Sequence, residues 1–114
     1  MPSTIRFERG DLVLLAFPFS SGAVTKQRPA LVLFDSGDQD VLVARVTTGE
    51  SRSPLDINVG DWKQAGLLAA SSVRLHKLAT LEKGLVRRRL GRVSPSDWER
   101  FITNIRERVF TIAG

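Results

Sequence analysis

Apolar and polar positions divide the chain into short segments that are typical of strands. Continuous apolar runs at 10–19 (GDLVLLAFPF), 29–35 (PALVLFD) and 41–48 (VLVARVTT) predict three buried strands. A polar loop at 20–27 and a turn signal at 36–40 separate them. Residues 55–59 and 71–83 alternate apolar with polar positions, as half-buried strands do. Short strands with tight connections predict an antiparallel meander or a small barrel.

The C-terminal segment has the period of a helix. Ser94 can cap it and Pro95 suits its first position, after which apolar residues form one stripe. The stripe consists of Trp98, Phe101, Ile102, Ile105 and Val109. Residues 60–69 predict one or two helical turns capped by Asp61, and residues 84–93 predict a short basic strand. We therefore expect an α+β fold, with five to seven strands in a small antiparallel β-barrel and a C-terminal helix.

Composition limits the class of protein. The 114 residues, 42% hydrophobic and 25% charged, suit a single soluble domain over 1–114. With no cysteine and one histidine, we expect no disulfide, metal site or cofactor. The apolar run at 12–19 is too short to cross a bilayer, and the N-terminus lacks the apolar core of a signal peptide. A cytoplasmic protein without membrane contact is expected.

Charge and strand-end residues suggest where chemistry could occur. The net charge of +5 favours nucleic acid or an acidic protein as a partner. Arg28 precedes one predicted strand, and Thr47 and Thr48 end another. Arg74 and His76 are two apart, so on a regular strand they share a face about 7 Å apart. A guanidinium fork beside an imidazole can hold a phosphodiester and exchange a proton.

Purely structural explanations remain open for each of these residues. The Arg–x–His pair is also typical of a solvated strand face, and Arg28 could pair with Asp35 or Glu50. Threonines are common at strand ends because they favour β-structure. The arginine cluster at 87–92 could be an exposed edge that discourages strand addition. A shared site requires the residues to converge, which the sequence alone does not reveal.

Four segments together resemble a known family. They are the RGD opening with its apolar strand, the RPALVL segment, the strand ending in Thr47 and Thr48, and the SSVR segment, in this order over residues 7–83. This pattern resembles the MazF/PemK-like toxins of bacterial toxin–antitoxin pairs. The resemblance implies an SH3-like barrel, usually a homodimer, that cuts single-stranded RNA at short motifs without a metal. It also implies a cognate antitoxin with an acidic tail.

The resemblance assigns roles to individual residues. Arg28 matches the arginine that contacts the scissile phosphate, and Thr47 matches a catalytic or phosphate-binding hydroxyl. Arg74 matches an arginine that acts as acid or charge stabiliser. Thr48 falls where a serine or another small residue is usual. His76 replaces an aspartate, a departure from the family pattern, and histidine can serve as the general base.

The RNA must also be held along its length. Lys26 and Gln27, at the end of the loop 20–27, and Lys77 are candidates for binding it together with Thr48. The implied reaction is a transesterification that leaves a 2′,3′-cyclic phosphate and a 5′-hydroxyl. The alternatives are a poison of DNA gyrase resembling CcdB, and a catalytically silent barrel that binds only RNA or antitoxin.

Overall fold

Six strands form one antiparallel sheet. The computed structural model describes residues 5–17, 26–49 and 51–110. The strands are β1 (Asp11–Phe17), β2 (Lys26–Phe34), β3 (Asp40–Thr48), β4 (Asp56–Asn58), β5 (Ser71–Glu82) and β6 (Val86–Arg92). Their spatial order is β4-β5-β3-β2-β1-β6. β1, β2 and β3 are successive neighbours, while β6 returns to pair with β1.

One helix follows the sheet, as the apolar stripe predicts. α1 spans Pro95–Asn104 and continues as a π-helical turn over Ile105–Val109. Ser94 caps it, since its Oγ accepts a hydrogen bond from the backbone N–H of Asp97 at 3.2 Å. The predicted α+β class is therefore confirmed. Neither this helix nor any other in the described residues has the length and apolar character needed to span a membrane.

The sheet stays open and does not close into the predicted small barrel. Within the described residues, no ladder joins β4 to β6. The turn that follows β4 packs against β6 instead. A Cβ built on Gly66 would lie 2.1 Å from the carbonyl oxygen of Leu90, and one on Gly91 would lie 2.1 Å from that of Ala65. Two backbones that touch this closely leave room only for glycine.

Some predicted boundaries differ from the structure. Residues 60–66 form turns rather than the predicted helical segment. The Ala65 N–H donates to the carbonyl of Asp61, but Gly66 has a φ of 95° and ends any helix there. β2 begins at Lys26, so Lys26 and Gln27 belong to a strand and not to a loop. Residues 18–25, which hold most of the predicted loop and the end of the first predicted strand, lie outside the described residues.

Each face of the sheet carries its own apolar cluster. We call the side that packs on α1 the helix face; it holds Leu12, Leu31 and Val73 together with Phe101. The other side, the far face, holds Val13, Ala30, Val43 and Phe7. Successive residues of a strand alternate between the two faces. The two clusters therefore also identify the face on which each of the remaining strand residues lies.

Candidate functional site

Arg28, Thr47 and Arg74 all project from the far face. Arg28 is two residues before Ala30, and the register of β2 with β1 is regular there. Arg45 and Thr47 lie on the side opposite Val46, which belongs to the helix-face cluster. Arg74 lies opposite Arg45, and Ser72 lies opposite Thr47. Three strands that neighbour one another, β2, β3 and β5, thus direct these side chains to one side.

The ends of β2 and β3 separate where these residues lie. Their ladder ends at the pair Ala30–Arg45, and two residues further on come Arg28 and Thr47. Beyond that point β2 remains paired with β1, and β3 remains paired with β5. Arg28 is exposed, and Thr47 is half-buried with its hydroxyl 3.5 Å from the carbonyl oxygen of Thr48. Both side chains therefore border a gap between strand ends.

Arg74 is held in place by a buried carboxylate. Its Nε lies 3.2 Å from Oδ1 of Asp56, the residue opposite it on β4. Asp56 is only 5% exposed and also accepts the backbone N–H of Arg52 at 2.9 Å. Burial opposes ionisation of Asp56, but the Arg52 N–H and the Arg74 guanidinium outweigh it, so its pKa lies below the usual value. The carboxylate stays charged and orients the guanidinium.

His76 and Lys77 lie beyond Arg74 in an irregular part of β5. The register jumps from Ala44–Leu78 to Arg45–Arg74, which leaves residues 75–77 without partners on β3. Both side chains are exposed. Leu75 belongs to the helix-face cluster together with Val73, which is consistent with the predicted shared face of Arg74 and His76. His76 is still close enough to Asp56 to help lower the pKa of that carboxylate, after the larger effects of burial, Arg52 and Arg74.

The other predicted binding residues are divided between the two faces. Lys26 lies two residues from Arg28 on the far face, whereas Gln27 alternates to the helix face with Pro29 and Leu31. Thr48 also points to the helix face, away from its neighbour Thr47, and lies opposite Ser71. The structure thus brings Lys26 near the group on the far face and separates Gln27 and Thr48 from it.

Arg28 does not pair with Asp35, the contact that was one of the purely structural explanations for this arginine. Asp35 accepts the backbone N–H groups of Phe7 and Gly37, each at 2.8 Å. Its Oδ1 lies 2.9 Å from Nζ of Lys83, in an ion pair rather than a well-aligned hydrogen bond. Among the described residues, the side chain of Arg28 has no hydrogen-bond or ion-pair partner. Glu50, the other candidate partner, lies outside them.

The sequence matches the model of one protein family. The model of the PemK-like, MazF-like toxins of type II toxin–antitoxin systems matches residues 8–108. The chain belongs to this family. No curated protein is significantly similar to the sequence.

Solved structures of MazF-like proteins share the fold. An endoribonuclease bound to its cognate antitoxin, from a Mycobacterial species, is 20% identical with a TM-score of 0.71 over 93% of this chain and 97% of that one. A chain of the MazE–MazF crystal structure from Deinococcus radiodurans is 18% identical, with a TM-score of 0.74 over 92% of this chain and 96% of that one. The Mycobacterium tuberculosis toxin MazF-mt6 is 20% identical, with a TM-score of 0.64 over 82% and 91%. At these identities the likeness establishes the fold.

Sequence patterns did not identify two further residues near Arg74. Arg45 is exposed on the far face, opposite Arg74 and two residues before Thr47. The two-residue period of VLVARVTT could have identified it, because it places Arg45 and Thr47 on one side. Asp56, which positions Arg74, could not be found in this way. Its role depends on the pairing of β4 with β5, which no local pattern encodes.

Proposed function

We propose that this MazF-like protein is a sequence-selective endoribonuclease toxin of a toxin–antitoxin pair. It cleaves single-stranded RNA without a metal and leaves a 2′,3′-cyclic phosphate and a 5′-hydroxyl. The observation that carries the proposal is the common orientation of Arg28, Thr47 and Arg74 on the far face, around the separated ends of β2 and β3. Family membership and the endoribonucleases among the proteins of similar fold support it.

The substrate supplies its own nucleophile. A base, for which His76 is the candidate, removes the proton of the ribose 2′-hydroxyl, and that oxygen attacks the adjacent phosphorus while the bond to the 5′-oxygen breaks. The guanidinium groups of Arg28 and Arg74 stabilise the negative charge that builds up on the phosphorane oxygens. The Thr47 hydroxyl donates to a phosphate oxygen. The leaving 5′-oxygen takes a proton from an arginine or from water.

Pro29 and Asp56 prepare the two guanidinium groups for this role. Pro29 restricts the residue before it to extended conformations, which fixes the direction in which Arg28 leaves β2. Asp56 fixes Arg74 from the neighbouring strand through the 3.2 Å contact described above. A fork that is already oriented loses less conformational entropy when it binds a phosphate.

RNA outside the cleaved bond is bound by further polar groups. Lys26 extends the positive charge of the far face next to Arg28, and Lys77 extends it on the exposed bulge of β5. Gln27 and Thr48 contact nucleotides that pass over the strand ends to the helix face. The net charge of +5 adds a sequence-independent attraction to the backbone.

The proposed biological setting is cytoplasmic, as a homodimer inhibited by an acidic antitoxin. Similar folds occur in an endoribonuclease bound to its cognate antitoxin and in MazE–MazF complexes. A partner with an acidic tail complements the positive net charge and competes with RNA for the same guanidinium groups.

The test is cleavage of single-stranded RNA in EDTA, with analysis of the product ends. We expect the wild type to cut and Arg28→Ala to lose about 100-fold or more in rate, since it removes a charged donor to the transition state. New 5′ ends should accept a phosphate from polynucleotide kinase without phosphatase treatment. Arg87→Ala, on exposed β6, is the matched control. RNA binding without cutting, or DNA breaks dependent on gyrase, would replace this proposal with one of the two alternatives.

A further inference from the structure

A cleft lies on the helix face, directly behind the separated ends of β2 and β3. Its volume is about 330 Å³, which is at the small end of ligand sites. Pro29, Thr48 and Ser71 border it on the strand side, Leu67 and Leu68 on the side of the turn after β4, and Arg88 on the side of β6. Most of these groups are apolar. The polar ones lie on two sides of the cleft, with Thr48 and Ser71 on the strand side and Arg88 on the side of β6.

Arg88 differs from the other arginines of β6, each of which has a partner within the part of the chain that the structure describes. Arg87 donates to the carbonyl oxygen of Gly84 at 3.0 Å, and Arg89 lies 2.9 Å from the buried carboxylate of Asp11. Arg92 lies 3.2 Å from the same carboxylate. Among the described residues, the side chain of Arg88 has neither a hydrogen-bond nor an ion-pair partner. A guanidinium group that borders a cleft and has no acceptor among the described residues is available to a ligand.

The geometry of β6 directs Arg88 into this cleft. Arg88 lies opposite Leu14, which in turn lies opposite Pro29, so the three residues form a row on the helix face. Leu90, two residues along β6, packs against the helix-face cluster and also lines the cleft. Arg89, between them, turns to the far face and lies over the ring of Phe7.

The cleft adjoins the proposed cleavage site through consecutive residues. Arg28 and Pro29 leave β2 on opposite faces, and Thr47 and Thr48 do the same on β3. Because the β2–β3 ladder stops at Ala30–Arg45, the strand ends beyond it are not paired with each other, and the gap between them has Arg28 and Thr47 on one face and Pro29 and Thr48 on the other. A single RNA strand that passed over this gap would have one phosphate by Arg28 and Thr47 and the neighbouring nucleotide at the cleft.

The lining matches a flat heterocycle with acceptors on one edge. Leu68, which is 97% exposed, and Leu67 provide apolar surface for a base face. Arg88 provides a planar fork of donors that fits the adjacent O6 and N7 acceptors of guanine. In single-stranded RNA this edge of the base is accessible. The carboxylates of an acidic peptide would pair with Arg88 but would leave the apolar walls of the cleft without an apolar group to contact.

We propose that this cleft binds one unpaired guanine next to the cleaved bond, and that Arg88 reads its acceptor edge. The inference rests on the proposed ribonuclease function and adds a determinant of its sequence selectivity. Arg88 is a specificity residue and not a catalytic one, because it contacts the base and lies on the other face from Arg28 and Arg74.

Cleavage of a randomised RNA pool tests the selectivity. We expect the wild type to favour guanine at one position flanking the cut, and Arg88→Ala to lose that preference by about ten-fold or more. KM should rise more than kcat falls, and preferences at other positions should persist. Arg88→Lys should fail to restore the preference, since an ammonium group lacks the fork. Arg87→Ala should behave as the wild type. An undiminished guanine preference in Arg88→Ala would overturn the proposal.

Binding of mononucleotides separates this inference from the nuclease proposal. The four 5′-nucleoside monophosphates are titrated into 15N-labelled protein, and amide shifts are followed at Thr48, Leu68 and Ala69. The guanine nucleotide should shift these amides in the wild type and in Arg28→Ala, but not in Arg88→Ala. If such shifts occur without any RNA cleavage, the nuclease proposal fails and the cleft assignment survives. Equal shifts with all four nucleotides, or saturation only by an acidic peptide, would refute the cleft assignment.

Discussion

Asp56 is the buried charge on which the position of Arg74 depends. The neutral variant Asp56→Asn keeps the shape of the side chain but weakens its bonds to the Arg74 guanidinium and the Arg52 N–H. We expect a loss of about 1–3 kcal/mol in the free energy of unfolding, the usual cost of leaving buried partners poorly satisfied. RNA cleavage should also fall about ten-fold or more, because Arg74 is no longer fixed.

Urea denaturation and initial cleavage rates measure both effects. Glu99→Gln, which neutralises an exposed carboxylate on α1, is the control for charge alone. Wild-type cleavage by Asp56→Asn would show that Arg74 does not need its carboxylate.

Individual side chains were predictable only as far as local alternation reaches. The period of VLVARVTT places Thr47 and Thr48 on opposite sides of β3, although both were expected to contact the RNA. At His76 the bulge in β5 removes the partner on β3, so strand pairing does not fix the position of this residue as it fixes that of Arg74. Strand pairing across the sheet determines what surrounds Asp56 and Arg88. The residues that flank them in the sequence do not reveal this pairing.

α1 is joined to the sheet through its first turn. Ser94 caps it, and Asp97 accepts the backbone N–H groups of Gly60 and Asp61 at 3.2 and 3.0 Å. We expect Ser94→Ala to lower the free energy of unfolding by about 1 kcal/mol. Asp97→Ala should cost more, since it leaves two N–H groups without an acceptor as well as removing a partner of Arg100. Urea denaturation gives the order, with Thr103→Ala as control. Equal losses in the two variants would contradict it.

The contact between the turn after β4 and β6 admits no side chain. Gly66→Ala should abolish folding or lower the free energy of unfolding by several kcal/mol, because its Cβ would lie 2.1 Å from the Leu90 carbonyl oxygen at a φ of 95°. Gly84→Ala, whose added Cβ meets open space, should have little effect. Circular dichroism and thermal unfolding compare the two variants. A stable Gly66→Ala protein would show that this contact is looser than described.

Most elements follow from their own sequence, whereas their joining does not. Apolar runs and alternation located the strands, and the Ser94–Pro95 start with its apolar stripe located α1. Asp61 and the apolar residues after it resemble a helix start, but Gly66 has a positive φ and packs closely against β6, and the segment forms turns. Whether β4 and β6 meet depends on such tertiary contacts, and strand periodicity could not reveal that the sheet stays open.

Three buried carboxylates link the stability of the whole molecule to pH. Burial opposes ionisation of Asp35, Asp56 and Asp97, but backbone N–H donors and the cations Lys83, Arg74 and Arg100 outweigh it, so the pKa of each lies below the usual value. A carboxyl with a lower pKa in the folded state binds protons more readily when unfolded. Its contribution to stability is present above about pH 4, the unfolded value, and is lost as pH falls through the folded pKa.

The free energy of unfolding should therefore decrease as pH is lowered below about 4. Urea denaturation between pH 6 and 2.5 measures it. Asp35→Asn should be less stable at pH 6 and show a shallower decrease in acid, because one of the three linked groups is gone. Identical pH profiles for Asp35→Asn and the wild type would exclude Asp35 from this linkage.

The account of this MazF-like protein depends on three distant side chains acting on one phosphate. Single-turnover cleavage of a defined single-stranded RNA in EDTA, with Arg28→Ala, Thr47→Ala, Arg74→Ala and the double variant of the two arginines, tests this most directly. Each single variant should lose about 100-fold or more, and the double variant should lose less than the product of its two singles, as groups that act together do. A wild-type rate from any single variant, or strictly multiplicative losses in the double variant, would contradict it.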